Sequence, residues 1–193
     1  MKKASLSGSL RESVGKKDAK ILRDTDRIPA VMYGGEKQVP FSIAKLAMEK
    51  LVYNPDVFWI NLDVSGEKYN AIIKDIQYHP VSDAIIHVDF LQLFDDKLVS
   101  VKLPVRASGN SPGVRNGGRL AVNHRHLTVR GLPGKLPEFI GVDISKLEIG
   151  DVARVRDIKT ADYDLLQADA DVVVAVKRTR AAMAAAAAAA AAK

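Results

Sequence analysis

Val57-Phe58-Trp59-Ile60-Asn61-Leu62-Asp63-Val64 decides the fold class. In an extended chain Phe58, Ile60, Leu62 and Val64 fall on one side and Val57, Trp59, Asn61 and Asp63 on the other, which is the period-two pattern of a half-buried strand. The pattern repeats downstream, where Val99, Val101, Leu103 and Val105 alternate with Ser100, Lys102, Pro104 and Arg106. Further strand candidates are Ala4–Arg11, Ala30–Tyr33, Tyr69–Gln77, Ile85–Leu93, Arg119–Val122, His126–Arg130 and Val172–Lys177. Turn residues punctuate them: Gly34-Gly35, Ser65-Gly66, Gly109 to Gly113, Asn116-Gly117-Gly118 and Gly131 to Gly134. The chain is therefore expected to be mainly β.

Two short helices interrupt the first half. Ser42 is expected to cap a helix over Lys45–Tyr53 that Asn54-Pro55 ends, and a weaker helix over Asp18–Asp24 has Ile21 and Leu22 as its apolar side. Strand character lapses at Phe94-Asp95-Asp96-Lys97 before a fresh alternating run begins, which predicts a first domain over 1–95 and a second over 96–180. The last stretch, 181–193, is almost pure alanine, and one type of methyl surface cannot specify a packed partner; it reads as a frayed tail.

At 193 residues, 47% hydrophobic and 27% charged, the chain has the composition of a folded protein and not of a disordered one. It contains no cysteine, which excludes disulfides, thiolate metal sites and cysteine nucleophiles and suits a reducing compartment. The amino terminus lacks an apolar targeting core, and the alanine run is too short to span a bilayer, so a cytoplasmic location is expected and no membrane. The net charge of +6 is unevenly spread. Residues 1–27 carry 8 cations against 4 acids and residues 97–137 carry 8 against none, whereas 28–96 and 138–171 are acidic. Such blocks create local positive potential that attracts polyanions, unless folding intermixes them.

Motifs for catalysis are missing. Gly8 to Lys17 has the wrong spacing and no Ser/Thr for a phosphate-binding loop, and neither a nucleophile elbow nor a zinc-protease helix motif occurs. His124 and His126 are predicted to share a strand face, but Arg125 separates them and no carboxylate lies close in sequence, so no metal is expected. His87 and Asp89, two apart on a strand, have the spacing of a base and its orienter; without a nucleophile they read better as hydrogen-bonding groups of a binding surface. Between a strand and a helix, Arg11, Lys16, Lys17, Lys20 and Arg23 cluster around Gly15, where backbone can approach a phosphate. The same residues also suit a solvated loop.

The order of several unlinked motifs narrows the choice. Gly15-Lys16 and Leu22-Arg23, then Ile28-Pro29-Ala30-Val31-Met32-Tyr33-Gly34-Gly35, then Lys74-Asp75-Ile76-Gln77-Tyr78-His79-Pro80-Val81, then Ile86-His87-Val88-Asp89-Phe90, resemble the bacterial CTC family of 5S-rRNA-binding large-subunit ribosomal proteins over residues 5–93. The β-rich remainder resembles the additional carboxy-terminal domain of that family's long form. The resemblance implies a six-stranded antiparallel barrel with short helices, a second β domain, no enzymatic activity, no cofactor and no small-molecule substrate. It implies a ribosome-bound protein that holds 5S rRNA at the central protuberance of the large subunit. By motif position it assigns RNA contacts to Arg11, Lys16, Lys20, Tyr33, Gln77, His87 and Asp89, to which Lys17 and Arg23 of the same cationic segment are added.

Chemistry agrees with that set. Lysine and arginine neutralise phosphates, and Tyr33, Gln77 and His87 supply stacking and hydrogen-bonding groups. Asp89 as an anion must accept from a base amine, a 2′-hydroxyl or His87. One departure stands out: where the family has a GKGASRRLR-like run, this chain has Gly15-Lys16-Lys17-Asp18-Ala19-Lys20-Ile21-Leu22-Arg23, with fewer arginine forks and an added negative charge. Phosphate grip is expected to be weaker at this corner, with Lys17 compensating. The acid-free block 97–137, with Arg115, Arg119, Arg125, Arg130 and Lys135, is expected to meet neighbouring ribosomal proteins and 23S rRNA. Two alternatives remain open: a tRNA-associated module, because such barrels resemble the anticodon-binding domains of glutaminyl-tRNA synthetase, and an enzyme using His87 and Asp89.

Overall fold

A strand that buries alternate residues needs a second apolar surface, and six such strands in the first half supply it to one another. The structure, a computed structural model, describes residues 2–35, 37–160, 162–180 and 182–183. Its first half contains β1 (Lys2–Leu10), α1 (Lys16–Asp24), β2 (Arg27–Tyr33), β3 (Val39–Ala44), α2 (Lys45–Val52), β4 (Phe58–Val64), β5 (Glu67–Tyr78) and β6 (Ile85–Gln92). The strands close into a barrel of order β1-β3-β2-β6-β5-β4. Four seams are antiparallel, while β1–β4 and β2–β6 run parallel. The expected antiparallel barrel is thus a mixed one. Parallel neighbours need long crossovers, and here the intervening strands and helices provide them.

Inside, Ile28, Met32, Phe41, Ile43, Met48, Ile60, Leu62, Val88 and Phe90 are almost wholly buried. The Phe41 and Phe90 rings pack with centroids 5.5 Å apart and planes tilted by 47°. Gly8 lets β1 lie on this pair, because a β-carbon there would sit 2.7 Å from the Phe41 ring. Gly34, with φ of +102°, turns the chain out of β2 beside Leu91, where a side chain would be both strained and crowded.

β3 escaped the sequence reading because Pro40 argues against a strand and Ser42 resembles a helix cap. In the fold Pro40 keeps only the acceptor role open to it, taking the Arg11 N–H on its carbonyl at 3.1 Å. Ser42 is a buried strand residue, not a cap: its hydroxyl accepts from Arg27 Nε at 3.0 Å and lies 3.2 Å from Ser9 Oγ. Helix α2 starts after Ala44 without a side-chain cap. Ile21 of α1 is 62% exposed, so it is not part of that helix's packed side. The adjacent Leu22 is half-buried, with α1 lying against β2.

The second half comprises β7 (Val99–Ser108), α3 (Pro112–Arg115), β8 (Arg119–Val122), β9 (His126–Gly131), β10 (Ile140–Asp143), β11 (Val152–Arg154), β12 (Tyr163–Leu165) and β13 (Val172–Lys177). One sheet has the order β10-β7-β9-β12 and a smaller one β11-β13-β8. β10, β11 and β12 are only three or four residues long, too short for alternation to announce them. His124 lies in the loop before β9 and His126 is its first residue, so the shared strand face expected of them does not form.

The chain divides into two compact units, Met1–Val101 with Leu132–Glu138, and Lys102–Gly131 with Phe139–Lys193. Within the first unit the Lys74 ammonium donates to the Ser100 carbonyl at 3.2 Å, so β5 holds the start of β7. Residues 94–97, where a joint is expected, form a turn closed by the Lys97 N–H on the Phe94 carbonyl at 3.2 Å. The alanine tail lies outside the described residues, apart from Ala182 and Met183. No helix among the described residues is long and apolar enough to cross a membrane.

Candidate nucleic-acid interface

Strand parity and register build one outward face on β2, β6 and β5. Gln77 stands opposite His87 and Asp75 opposite Asp89 across the antiparallel β5–β6 ladder, while Val31 stands opposite Asp89 and Tyr33 opposite Leu91 across the parallel β2–β6 ladder. Directly paired residues share a face, so Tyr33, Gln77, His87 and Asp89 come together, and Val88 and Phe90 between them point into the core. A bulge at Lys74 sets this parity. The extra residue leaves Lys74 and Asp75 both on the outside, and every residue beyond it is re-aimed so that Ile76 packs inward while Asp75 and Gln77 face out.

At the centre of the face, His87 Nδ1 approaches Asp89 Oδ1 to 2.8 Å, with both side chains about a quarter to a third exposed. That nitrogen is shielded from water and has no well-aligned acceptor, so the contact is an ion pair when the ring is charged and not an aligned hydrogen bond. Asp75 was missed as a member of this site. Its signal was present, since it precedes Gln77 by one strand period within the same motif. Burial, followed by the Asp89 and Asp75 carboxylates, pushes the Tyr33 phenol above its ordinary 10.0, so it remains a neutral hydrogen-bond donor at physiological pH. The face thus pairs an imidazole and a phenol with two carboxylates. Anions repel phosphate, so this centre suits neutral hydrogen-bonding groups better than phosphate.

The cations lie to one side. Lys16, Lys20 and Arg23 follow one another at helical spacing on α1 and are exposed, as is Lys17. Arg23 Nε donates to the Ile86 carbonyl at 3.2 Å, which places the end of α1 beside His87. Arg11 differs from the others. Its Nε and one terminal nitrogen donate to the same Asp18 oxygen at 3.0 and 2.6 Å, and its side chain is 8% exposed. Arg11 therefore ties the strand exit to α1 and has no free fork, which gives the family departure at Asp18 a structural consequence. Arg27 is also committed, to Ser42 and Ser9 across the β1–β3–β2 seams. Among the described residues, no three histidine or carboxylate groups gather at metal-binding distance.

Residues 6–90 match the model of the Ribosomal L25p family, and residues 98–180 match that of the ribosomal protein TL5 C-terminal domain. The chain is 43% identical over 181 residues to the large ribosomal subunit protein bL25 of Porphyromonas gingivalis, covering 93% of this chain and 94% of that one. The protein of the same name from Christiangramia forsetii is 42% identical over 179 residues, covering 92% and 81% of the two chains. That from Cytophaga hutchinsonii is 37% identical over 176 residues, covering 91% and 92%. Barrel, motifs and the second β region together establish that the chain belongs to the Ribosomal L25p family, structural and non-enzymatic proteins of the large ribosomal subunit, in its long form.

Proposed function

We propose that this chain holds 5S rRNA at the central protuberance of the large subunit through the β2–β6–β5 face and the flanking helix α1. The observation that carries this reading is the convergence of Tyr33, Gln77, His87 and Asp89 on one outward face beside exposed cations. Lys16, Lys17, Lys20 and Arg23 neutralise the sugar-phosphate chain; Tyr33, Gln77, His87 and Asp89, with Asp75 added, meet the groove and its 2′-hydroxyls. Arg11, held by Asp18, stands at the edge of this set and joins the phosphate grip only when that pair is released. The second half, through the acid-free block 97–137, meets neighbouring ribosomal proteins and 23S rRNA. The protein works on the ribosome in the cytoplasm and needs no cofactor.

The test is a gel shift of the full chain on 5S rRNA with tRNA as competitor, repeated with His87→Ala. Retention of 5S rRNA against excess tRNA, with about tenfold weaker binding in the variant, is the expected result; equal competition by tRNA would overturn the assignment.

A further inference from the structure

The second half contains a cationic cluster that the linear sequence does not reveal. The Thr179 hydroxyl donates to the Gly117 carbonyl at 2.6 Å and accepts the Ala182 N–H at 3.1 Å, so one side chain joins two segments 62 residues apart. Within two residues of this joint stand Arg115 and Arg119 on one segment and Lys177, Arg178 and Arg180 on the other, all exposed. Neither segment contains an acid. The β8–β13 ladder brings them closer still, because its register sets Arg119 directly opposite Lys177. Like charges directly opposite in a ladder destabilise it, so this pairing weakens the free protein.

Nothing nearby offsets it. Among the described residues, none of the five cations makes an ion pair. The Arg178 guanidinium lies over Gly150, where a β-carbon would stand 3.9 Å from its Nε. That turn does carry acids, Glu148 and Asp151, but the Asp151 carboxylate accepts the Glu148 N–H at 2.9 Å and neither pairs with the cluster. Protection of an edge strand accounts for a cation on β8. It does not account for the three cations that end the central strand β13 and follow it.

We propose that Arg115, Arg119, Lys177, Arg178 and Arg180 form a second phosphate-binding site, which takes the sugar-phosphate backbone of an RNA helix. The inference rests on reading the second half as RNA-facing and specifies where that contact lies, including three residues outside block 97–137. The barrel face offers carboxylates and aromatic groups to bases. This site offers charge alone, so it binds backbone without regard to sequence.

The experiment uses the full chain saturated with 5S rRNA and titrated with a short fluorescent RNA duplex of arbitrary sequence at several salt concentrations. Replacing Arg115, Arg119 and Arg178 together by glutamine is expected to weaken duplex binding at least about tenfold and to lower the salt slope by roughly 2–3, with 5S affinity unchanged. A single Arg119→Glu change is expected to raise the melting temperature by about 1–4 °C, by pairing with Lys177, while duplex binding falls. Unchanged duplex binding in a triple variant that still holds 5S rRNA would overturn the proposal, as would preference for a poly-glutamate peptide over the duplex or a lower melting temperature for Arg119→Glu. Failure of the barrel reading looks different: the chain would not take up 5S rRNA, while the duplex titration would still report on this cluster.

Discussion

Two Arg11 nitrogens converge on a single Asp18 oxygen, at 3.0 and 2.6 Å, at the corner where the barrel strand β1 leads into α1. This pair lowers the positive potential of the surface that presents Lys16, Lys20 and Arg23. Asp18→Ala removes one negative charge and releases the arginine fork, so 5S affinity measured by filter binding should rise about 3- to 10-fold. Asp18 is partly exposed, so the stability lost should be only about 1 kcal/mol in a denaturant melt. An affinity equal to or below that of the unaltered chain would show that the pair serves RNA binding as it stands.

Asp75 and Asp89 face each other across the β5–β6 ladder, and both raise the phenol of Tyr33 after burial has done so. A group whose neutral form is favoured by folding contributes stability that is intact below its unfolded pKa near 10.0 and lost as pH rises through the higher folded value. Ultraviolet titration should therefore show Tyr33 ionising above 10.0. Asp89→Asn should bring it down without restoring the ordinary value, because burial is the larger cause. A titration unmoved by Asp89→Asn would remove Asp89 from the phenol's surroundings.

Lys16 and Lys20 are exposed and one helical turn apart. If each neutralises a phosphate, Lys16→Gln with Lys20→Gln should reduce the slope of log affinity against log salt by about 1.4–1.8. His87→Ala should lower 5S affinity with little change in that slope, since it removes a contact and not a phosphate charge. Reversal of these two signatures would exchange the roles assigned to the helix and the sheet face.

Phe90 is fully buried against Phe41, on the strand that carries His87 and Asp89 on its other side. Phe90→Ala should cost about 3–5 kcal/mol and Phe90→Leu less than about 1.5 kcal/mol, read from chemical denaturation. RNA binding by the leucine variant should survive, because the outward face keeps its parity.

In the second half, hydrogen bonds from the Ser145 side chain and then its backbone hold the Asp143 carboxyl below its ordinary 3.8. A carboxyl lowered by folding contributes stability that is present above its unfolded pKa and lost as pH falls through the folded value. In an NMR titration, Ser145→Ala should move Asp143 part of the way back toward 3.8 and lessen that acid-side loss, because the backbone N–H at 145 still donates.

Alternation alone revealed the strands that bury one face. Phe58–Val64 coincides with β4 because period-two burial is a local property that the residues of the strand report, and Val172–Lys177 coincides with β13 as a short apolar run buried on both faces. The cationic segment and the Tyr33, Gln77, His87 and Asp89 motifs were legible for the same reason, each lying within one short stretch. What the sequence left undetermined depends on pairing between distant residues. β3 had to be seated between β1 and β2 before Pro40 and Ser42 made sense as strand residues, and the bulge at Lys74 had to be registered against β6 before Asp75 joined the site. Arg11 reads as a free cation in sequence and becomes a committed one only when β1 and α1 meet, while Arg119 and Lys177 become neighbours only through the β8–β13 ladder. Residue type determined which chemistry was on hand. Hydrogen-bond register and ion pairing across the fold decided which of those groups stand together and which are already occupied.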